Sequence, residues 1–340
     1  MFECIKKGIL CKAIILILWM CTLWLTPCSV FAEDIIKTYG NYQYCYNQET
    51  NGIEILDYNS SEEDIVIPKK IEELPVTVIG ENAFQKCEFK TIRIPETVVK
   101  IKGSAFYRCE NLKEIVLPEG LIKMEEYAFF CCSELKSVVL PQNLTKLSEG
   151  VFASTDLKKI IIPKGVTCID RSAFSGCYTL ESVIFEERSK VIKIGYEAFR
   201  GCYKLRKIKF PESLKCIDES AFMYCRKLKK LEFEENSQLK EIGPWSFYEC
   251  SGLKYVYIPK KVKYIREKAF YGCKKLKKIL FQGKVPRIEK EAFKEINGKI
   301  VFCVPSKYEF DYKKQLMKKA WYKSTMKIIE MGTFKHHENT

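Results

Sequence analysis

Pro95-Glu96-Thr97-Val98-Val99-Lys100-Ile101-Lys102-Gly103-Ser104-Ala105-Phe106-Tyr107-Arg108-Cys109-Glu110-Asn111-Leu112-Lys113-Glu114-Ile115-Val116-Leu117 is one full period of this chain, and Pro118 opens the next. The Ala-Phe pair at its centre, or a close variant of it, occurs ten times, at spacings of 22 to 25 residues. The pairs are Ala83-Phe84, Ala105-Phe106, Ala128-Phe129, Val151-Phe152, Ala173-Phe174, Ala198-Phe199, Ala221-Phe222, Ser246-Phe247, Ala269-Phe270 and Ala292-Phe293. Self-similarity at a fixed period of this size specifies a solenoid of stacked units rather than a globular enzyme core. Solenoids present extended surfaces, so binding is the expected kind of work.

The phrase Leu112-x-x-Ile115-x-Leu117 recurs as Leu135-Val138-Leu140, Leu157-Ile160-Ile162, Leu180-Val183-Phe185, Leu205-Ile208-Phe210, Leu228-Leu231-Phe233, Leu253-Val256-Ile258 and Leu276-Ile279-Phe281. Alternating apolar residues read as a short strand with one buried face. A proline just after it suits a strand end, where no ladder donor is needed. Short loops or helical turns are expected between strands. No unit can bury its apolar face alone, so neighbours must stack, and the phenylalanines should form a continuous spine. Burial of each contributes roughly 1.5–3 kcal/mol before entropy is counted.

The pattern I-P-x-x-V-x-x-I-x-x-x-A-F-x-x-C-x-x-L resembles the BspA-type leucine-rich repeats of bacterial surface and secreted proteins, over about residues 62–305. Residues 64–80 resemble that family's usual first repeat. Departures are few: Thr155 and Ile296 stand where other copies carry Cys, and two copies are lengthened at Phe185-Glu186-Glu187 and Phe233-Glu234-Glu235. The resemblance implies a leucine-rich-repeat solenoid (an α/β repeat of about ten units), a location outside the cytoplasm and a role as an interaction module. It names no ligand, because such folds host many partners.

Residues 1–32 read as a secretory signal peptide, with Lys6, Lys7 and Lys12 before an apolar run over residues 13–25. Val30-Phe31-Ala32 supplies the cleavage site, so the mature chain is expected to begin at Glu33. The run is short for a membrane span, and none is expected after residue 32. Residues 33–61 should cap the stack as a hairpin, since Tyr42, Tyr44 and Tyr46 alternate, Asn51-Gly52 marks a turn, and Ile53, Ile55 and Leu56 follow. The repeats fill residues 62–305. Residues 306–331 should form a C-terminal cap: a helix N-capped by Ser306 and carrying Tyr308, Tyr312, Leu316, Ala320 and Trp321 on one face, then a last strand at Ile328-Ile329. Residues 332–340 are a tail.

Of 17 cysteines, four (Cys4, Cys11, Cys21, Cys28) lie in the expected leader. Eight others share one repeat position: Cys87, Cys109, Cys132, Cys177, Cys202, Cys225, Cys250 and Cys273. Stacking predicts a buried thiol ladder whose members point the same way, which suits disulfide bonding poorly. The two histidines, His336 and His337, sit together in the tail. No Cys-His or Ser-His pair falls within the repeats, no glycine-rich phosphate loop follows a strand, and no metal or cofactor is called for. Glu186-Glu187 and Glu234-Glu235 occupy equivalent loops, as repetition alone explains. The expectation is a non-enzymatic chain.

The formal charge is +14, and losing three Lys and one Glu with residues 1–32 leaves +12. The residue after the repeat leucine is Lys113, Lys136, Lys158, Glu181, Arg206, Lys229, Lys254 and Lys277, a column that either solubilises the stack or attracts an anionic partner. The outward strand positions read Arg93, Val116, Val139, Ile161, Ile184, Lys209, Glu232, Tyr257 and Leu280. We therefore take as candidate ligand-binding residues the apolar stripe Val116, Val139, Ile161 and Ile184, with the basic, aromatic half Lys207, Lys209, Lys230, Tyr255, Tyr257 and Lys278. β propensity alone would also explain the stripe, but contiguous exposed apolar area tends to mark a binding surface. The expected partner is a host, neighbour-cell or matrix protein, or an anionic glycan or wall polymer, met by a secreted or surface-held adhesion-like module. A structural surface component without a soluble ligand is the alternative. Export and the lack of a DNA-reading motif argue against nucleic acid.

Overall fold

The computed structural model describes residues 35–331, and the expected leader, its cleavage site between Ala32 and Glu33, and the His336-His337 pair lie outside them. Among the described residues, those from Thr38 onward form a single compact unit. It is a β-solenoid of about twelve turns, and every Ala-Phe unit contributes to three ladders of backbone hydrogen bonds.

The first ladder is the expected one. Strands such as Glu114–Val116, Ser137–Val139, Lys159–Ile162 and Ser182–Phe185 lie parallel to their neighbours in the adjacent units. The second departs from the sequence expectation. Two-residue strands such as Lys100–Ile101, Lys123–Met124 and Cys168–Ile169 fill the segment expected to hold loops or helical turns, and they pair in parallel too. A two-residue strand is too short to show alternation in sequence. The third ladder runs through the Ala-Phe turn, where each Phe N–H donates to the next unit's carbonyl at the Ala position: Phe84 to Ala105 at 2.8 Å, Phe174 to Ala198 at 2.8 Å. The strand ladders donate the other way, as Lys102 N–H does to Ile79 at 2.9 Å. Each unit is thus held from both sides, and no helix is needed to close it.

The turn demands a special backbone. The residues just before the Ala and two after the Phe adopt left-handed φ, from Asn82 (58°) and Lys86 (60°) to Glu291 (54°) and Glu295 (57°). Such a residue costs about 1–2 kcal/mol unless it is glycine. Gly150, Gly176, Gly201 and Gly272 take this conformation in four of these places. Side-chain identity varies there because the ladder, not the residue, sets the conformation.

Inside, the ten phenylalanines of the repeat are fully buried and stack ring on ring. Phe106–Phe129 are 5.0 Å apart with planes 4° from parallel, and Phe174–Phe199 are 5.2 Å apart at 5°. The widest step is Phe152–Phe174, at 5.7 Å and 16°. It belongs to the fourth unit, which carries Val151 and Thr155 and has one residue fewer before its leucine, Leu157. Both strand ladders are also interrupted on entering this unit: Lys123–Met124 ends one sheet and Lys146–Leu147 begins another, and Ser137–Val139 and Lys159–Ile162 fall in separate sheets. There the Ser148 hydroxyl donates to Met124 O at 2.5 Å.

Both ends of the spine are covered by aromatic rings. The hairpin Tyr42–Asn47 and Gly52–Tyr58 turns at Asn51 (φ 50°) and places Tyr58 on Phe84, 5.3 Å between centroids. At the far end Trp321 meets Phe293 edge-on at 5.5 Å. Ser306 is not an N-cap. It opens the 3-10 turn Ser306–Tyr308, and the α-helix Glu309–Leu316 follows with Tyr308 at its cap and no side-chain cap bond. Pro305 holds extended backbone (φ −62°, ψ 134°), so the chain enters the turn one residue earlier than the serine signal implies. Tyr312 and Leu316 are buried, Trp321 lies beyond the helix, and Lys327–Met331 adds a final parallel strand on Val301–Pro305.

One defect makes a direct forecast. Ser246 replaces the repeat alanine, is fully buried, and its hydroxyl has no partner. Ser246→Ala is expected to raise stability by about 1–2 kcal/mol, measured as a higher urea midpoint with an unchanged slope. An unchanged or lower midpoint would mean that the hydroxyl is satisfied.

Candidate functional site

The strand face is built by register. Val66 pairs with Arg93, Arg93 with Val116, and Val116 with Val139; after the interruption Ile161 pairs with Ile184. All four members of the apolar stripe point outward, Val116 and Val139 at 70% and 73% exposure and Ile161 and Ile184 at 45% and 42%. Val66, at 65%, extends the row by one more aliphatic side chain beyond Arg93. Val66, Arg93 and Val116 line a depression of about 860 Å³ on this face. Sequence reading omitted Val66 because its unit lacks the Ala-Phe pair.

The basic half is less uniform than expected. Lys207 pairs with Lys230, Lys230 with Tyr255 and Tyr255 with Lys278 along one row. Lys207 and Lys209 are exposed. Lys230 instead bonds Glu232 at 2.9 Å and lies 5.5 Å from the centroid of the Tyr257 ring. The Glu232 carboxylate therefore holds the Lys230 ammonium above its ordinary pKa while cancelling its charge toward a ligand. Lys278 is half-buried against the Cys303 thiol. Tyr255 is exposed and Tyr257 half-buried. The structure thus brings all ten candidates onto the strand face, with free-standing positive charge concentrated at Lys207 and Lys209.

The lysine column stacks as the repeat requires. Lys136 N–H donates to Lys113 O, Lys158 to Lys136, Glu181 to Lys158 and Arg206 to Glu181, and the row continues through Lys277. It bridges the fourth unit, where the strand ladders do not. Glu181 sits 3.6 Å from Arg206, an exposed pair worth about 0–1 kcal/mol at most.

The thiol ladder is structural. Cys109, Cys132, Cys177, Cys202, Cys225, Cys250 and Cys273 are fully buried, Cys87 is partly so, and none of the eight forms a disulfide. Each of the seven donates its S–H to the phenylalanine carbonyl of the preceding unit, as Cys109 does to Phe84 O at 3.0 Å and Cys225 to Phe199 O at 3.3 Å. Burial pushes Cys177 up to about 11 and Cys87 up to about 12, and raises Cys109, Cys202, Cys225 and Cys273 well above the ordinary range. These thiols stay protonated, which is the opposite of what nucleophilic cysteine chemistry needs. At Thr155 the same position holds a hydroxyl, which donates instead to its own unit's Phe152 O at 2.8 Å. The paired glutamates are also accounted for in part: Glu186 accepts from Lys164 N–H and Glu234 from Glu212 N–H, both at 2.9 Å. Among the described residues no helix is long and apolar enough to cross a membrane.

The model of the BspA type leucine-rich repeat region, in six copies, matches residues 57–181 and 167–299. The chain belongs to the BspA-type leucine-rich repeat family. Among solved structures, a leucine-rich repeat protein from Bacteroides ovatus is 23% identical, with a TM-score of 0.57, covering 87% of this chain and all of its own. This likeness shows the fold. A leucine-rich cell surface protein from Faecalibacterium prausnitzii is 24% identical (TM-score 0.37; 88% of this chain, 95% of that one). The pneumococcal vaccine antigen PcpA is 17% identical (TM-score 0.46; 88% and 99%). No protein of curated function matches the sequence.

Proposed function

We propose that this BspA-type chain is a non-enzymatic interaction module, secreted or held at a bacterial surface, that binds a protein or an anionic glycan through its strand face. The observation that carries the reading is the row of aliphatic side chains standing out from that face, with Val116 and Val139 about 70% exposed in direct register. An exposed apolar row has a desolvation gain to offer a partner, at roughly 25 cal/mol per Å² removed from water. Lys207 and Lys209 add attraction at its edge, and Tyr255 adds a ring of large area and few rotamers. The buried, protonated thiols offer no nucleophile, which favours binding over catalysis.

The two halves separate by experiment. With a partner captured from a panel of matrix proteins, sulfated glycans and wall polymers, Val139→Glu is expected to weaken binding about tenfold with little change in salt dependence. Lys207→Glu with Lys209→Glu is expected to slow association, most at low ionic strength. Neither set should lower the melting temperature. If a partner is found and both sets leave its affinity unchanged, the strand face is not the site.

A further inference from the structure

A second surface lies on the side of the Ala-Phe turns, about the fourth to sixth units. In most units the first residue after the repeat phenylalanine is large: Tyr107, Phe130, Met223, Tyr248 and Tyr271 among them. In the fourth and fifth units both residues after it are small, Ala153-Ser154 and Ser175-Gly176, and the sixth pairs Arg200 with Gly201. The missing side chains leave a groove of about 480 Å³, within the range of small-ligand sites. At the unit spacing of about 4.8 Å, three units span roughly 14 Å, the length of two to three sugar rings.

The ends of the groove are aromatic and fixed. Tyr127 lies across the backbone of Gly150, whose φ is +58° and where any Cβ would come within 2.4 Å of the ring. The same ring meets Phe130 edge-on at 5.8 Å, and its hydroxyl donates to Glu149. Opposite, Tyr178 and Tyr203 stack at 5.0 Å with planes 8° from parallel, yet remain 55% and 39% exposed. Their N–H groups donate to Gly176 O and Gly201 O, two residues back, so both rings spring from the same tight backbone turn. Arg226 lies 5.3 Å from the centroid of the Tyr203 ring, on its far side in the row of equivalent positions. The ring at the open end of that row is Tyr178.

The charges are balanced. Arg171 lies 3.6 Å from Glu149, and Arg200 lies 3.5 Å from Glu197. An anionic ligand would have to compete with these carboxylates, and an apolar one would desolvate them. A ligand with one flat C–H face and many hydroxyls gains from both the rings and the paired donors and acceptors. We propose that this groove binds a short chain of neutral hexopyranoses, with a sugar ring stacked on Tyr178 and hydroxyls bonded to Glu149 and Arg171. The site is independent of the strand face.

The test titrates the purified chain with neutral trisaccharides of wall type (chitotriose) and host type (lacto-N-triose), with sialyllactose as the anionic arm, followed by calorimetry and saturation-transfer NMR. Millimolar or tighter binding of either neutral sugar supports the proposal, and the arm that binds names the source. Tyr178→Ala is expected to weaken it about tenfold or more. Ser175→Trp, which keeps both tyrosines and fills the groove, should abolish it, while Tyr248→Ala in another stacked pair should not. Melting temperatures verify that each variant is folded. The proposal is overturned if no neutral sugar binds, if sialyllactose alone binds, or if binding survives Ser175→Trp in a folded protein.

Discussion

Phe174→Ala is expected to lower the stability of the stack by about 3–5 kcal/mol, the cost of a cavity in a close-packed spine. Phe174 is fully buried, lies parallel to Phe199 and has Phe152 on its other side at the widest step of the column. Because each repeat unit contacts chiefly its neighbours, the loss should also divide the unfolding transition. The segment up to the fourth unit, already interrupted in both strand ladders, should melt before the rest. Urea titration followed by aromatic fluorescence and by far-ultraviolet circular dichroism would show the two signals separating. A single coincident transition with a shift below about 1 kcal/mol would mean that the spine is not a continuous packed column.

The second large effect is alkaline. A buried thiol whose folded pKa is raised binds a proton that the unfolded chain releases. Its contribution to stability is complete below the unfolded pKa, near 9. Above that, the unfolded state gains by ionising and the folded state does not, so stability falls as pH rises, at about 1.4 kcal/mol per pH unit per thiol. The loss ends only where the folded thiol itself ionises, at about 11 for Cys177 and about 12 for Cys87. For Cys177 alone the window from pH 9 to about 11 amounts to about 2–3 kcal/mol. Cys202, Cys225 and Cys273 are raised in the same direction by the same burial. The protein should therefore unfold steeply between pH 9 and 11. Cys177→Thr, which copies the residue the fourth unit already carries at Thr155, should flatten that slope by about one proton. A stability that is level from pH 8 to 11 would contradict the burial of the ladder.

The repeat was legible because ten copies report one structure: chance agreement of Phe, Cys and Leu at fixed offsets averages out. The outward strand positions followed from period two alone, which is why Val116, Val139, Ile161 and Ile184 stand where alternation puts them. Contacts between side chains were not legible. Lys230 and Glu232 are two apart on one strand and so share a face, but their 2.9 Å bond depends on rotamers no spacing reveals. The second ladder escaped because two residues carry no periodicity, and the cap at Ser306 failed because Pro305 already directs the chain into a 3-10 turn. The turn-side groove is written in sequence only as small residues, Ala153-Ser154 and Ser175-Gly176, which become a signal once the columns are known to stack.

The central claim is that ten units stack in one register, with each thiol sealed beneath the unit before it. Site-resolved alkylation tests it most directly. The native chain at pH 8 and the chain in denaturant without reductant are each labelled, digested and mapped by mass spectrometry. The account expects Cys109, Cys132, Cys177, Cys202, Cys225, Cys250 and Cys273 to remain unlabelled in the native chain, and all seven, with Cys87, to label fully in denaturant. Rapid native labelling of the seven, or any disulfide-linked pair among the eight, would contradict it.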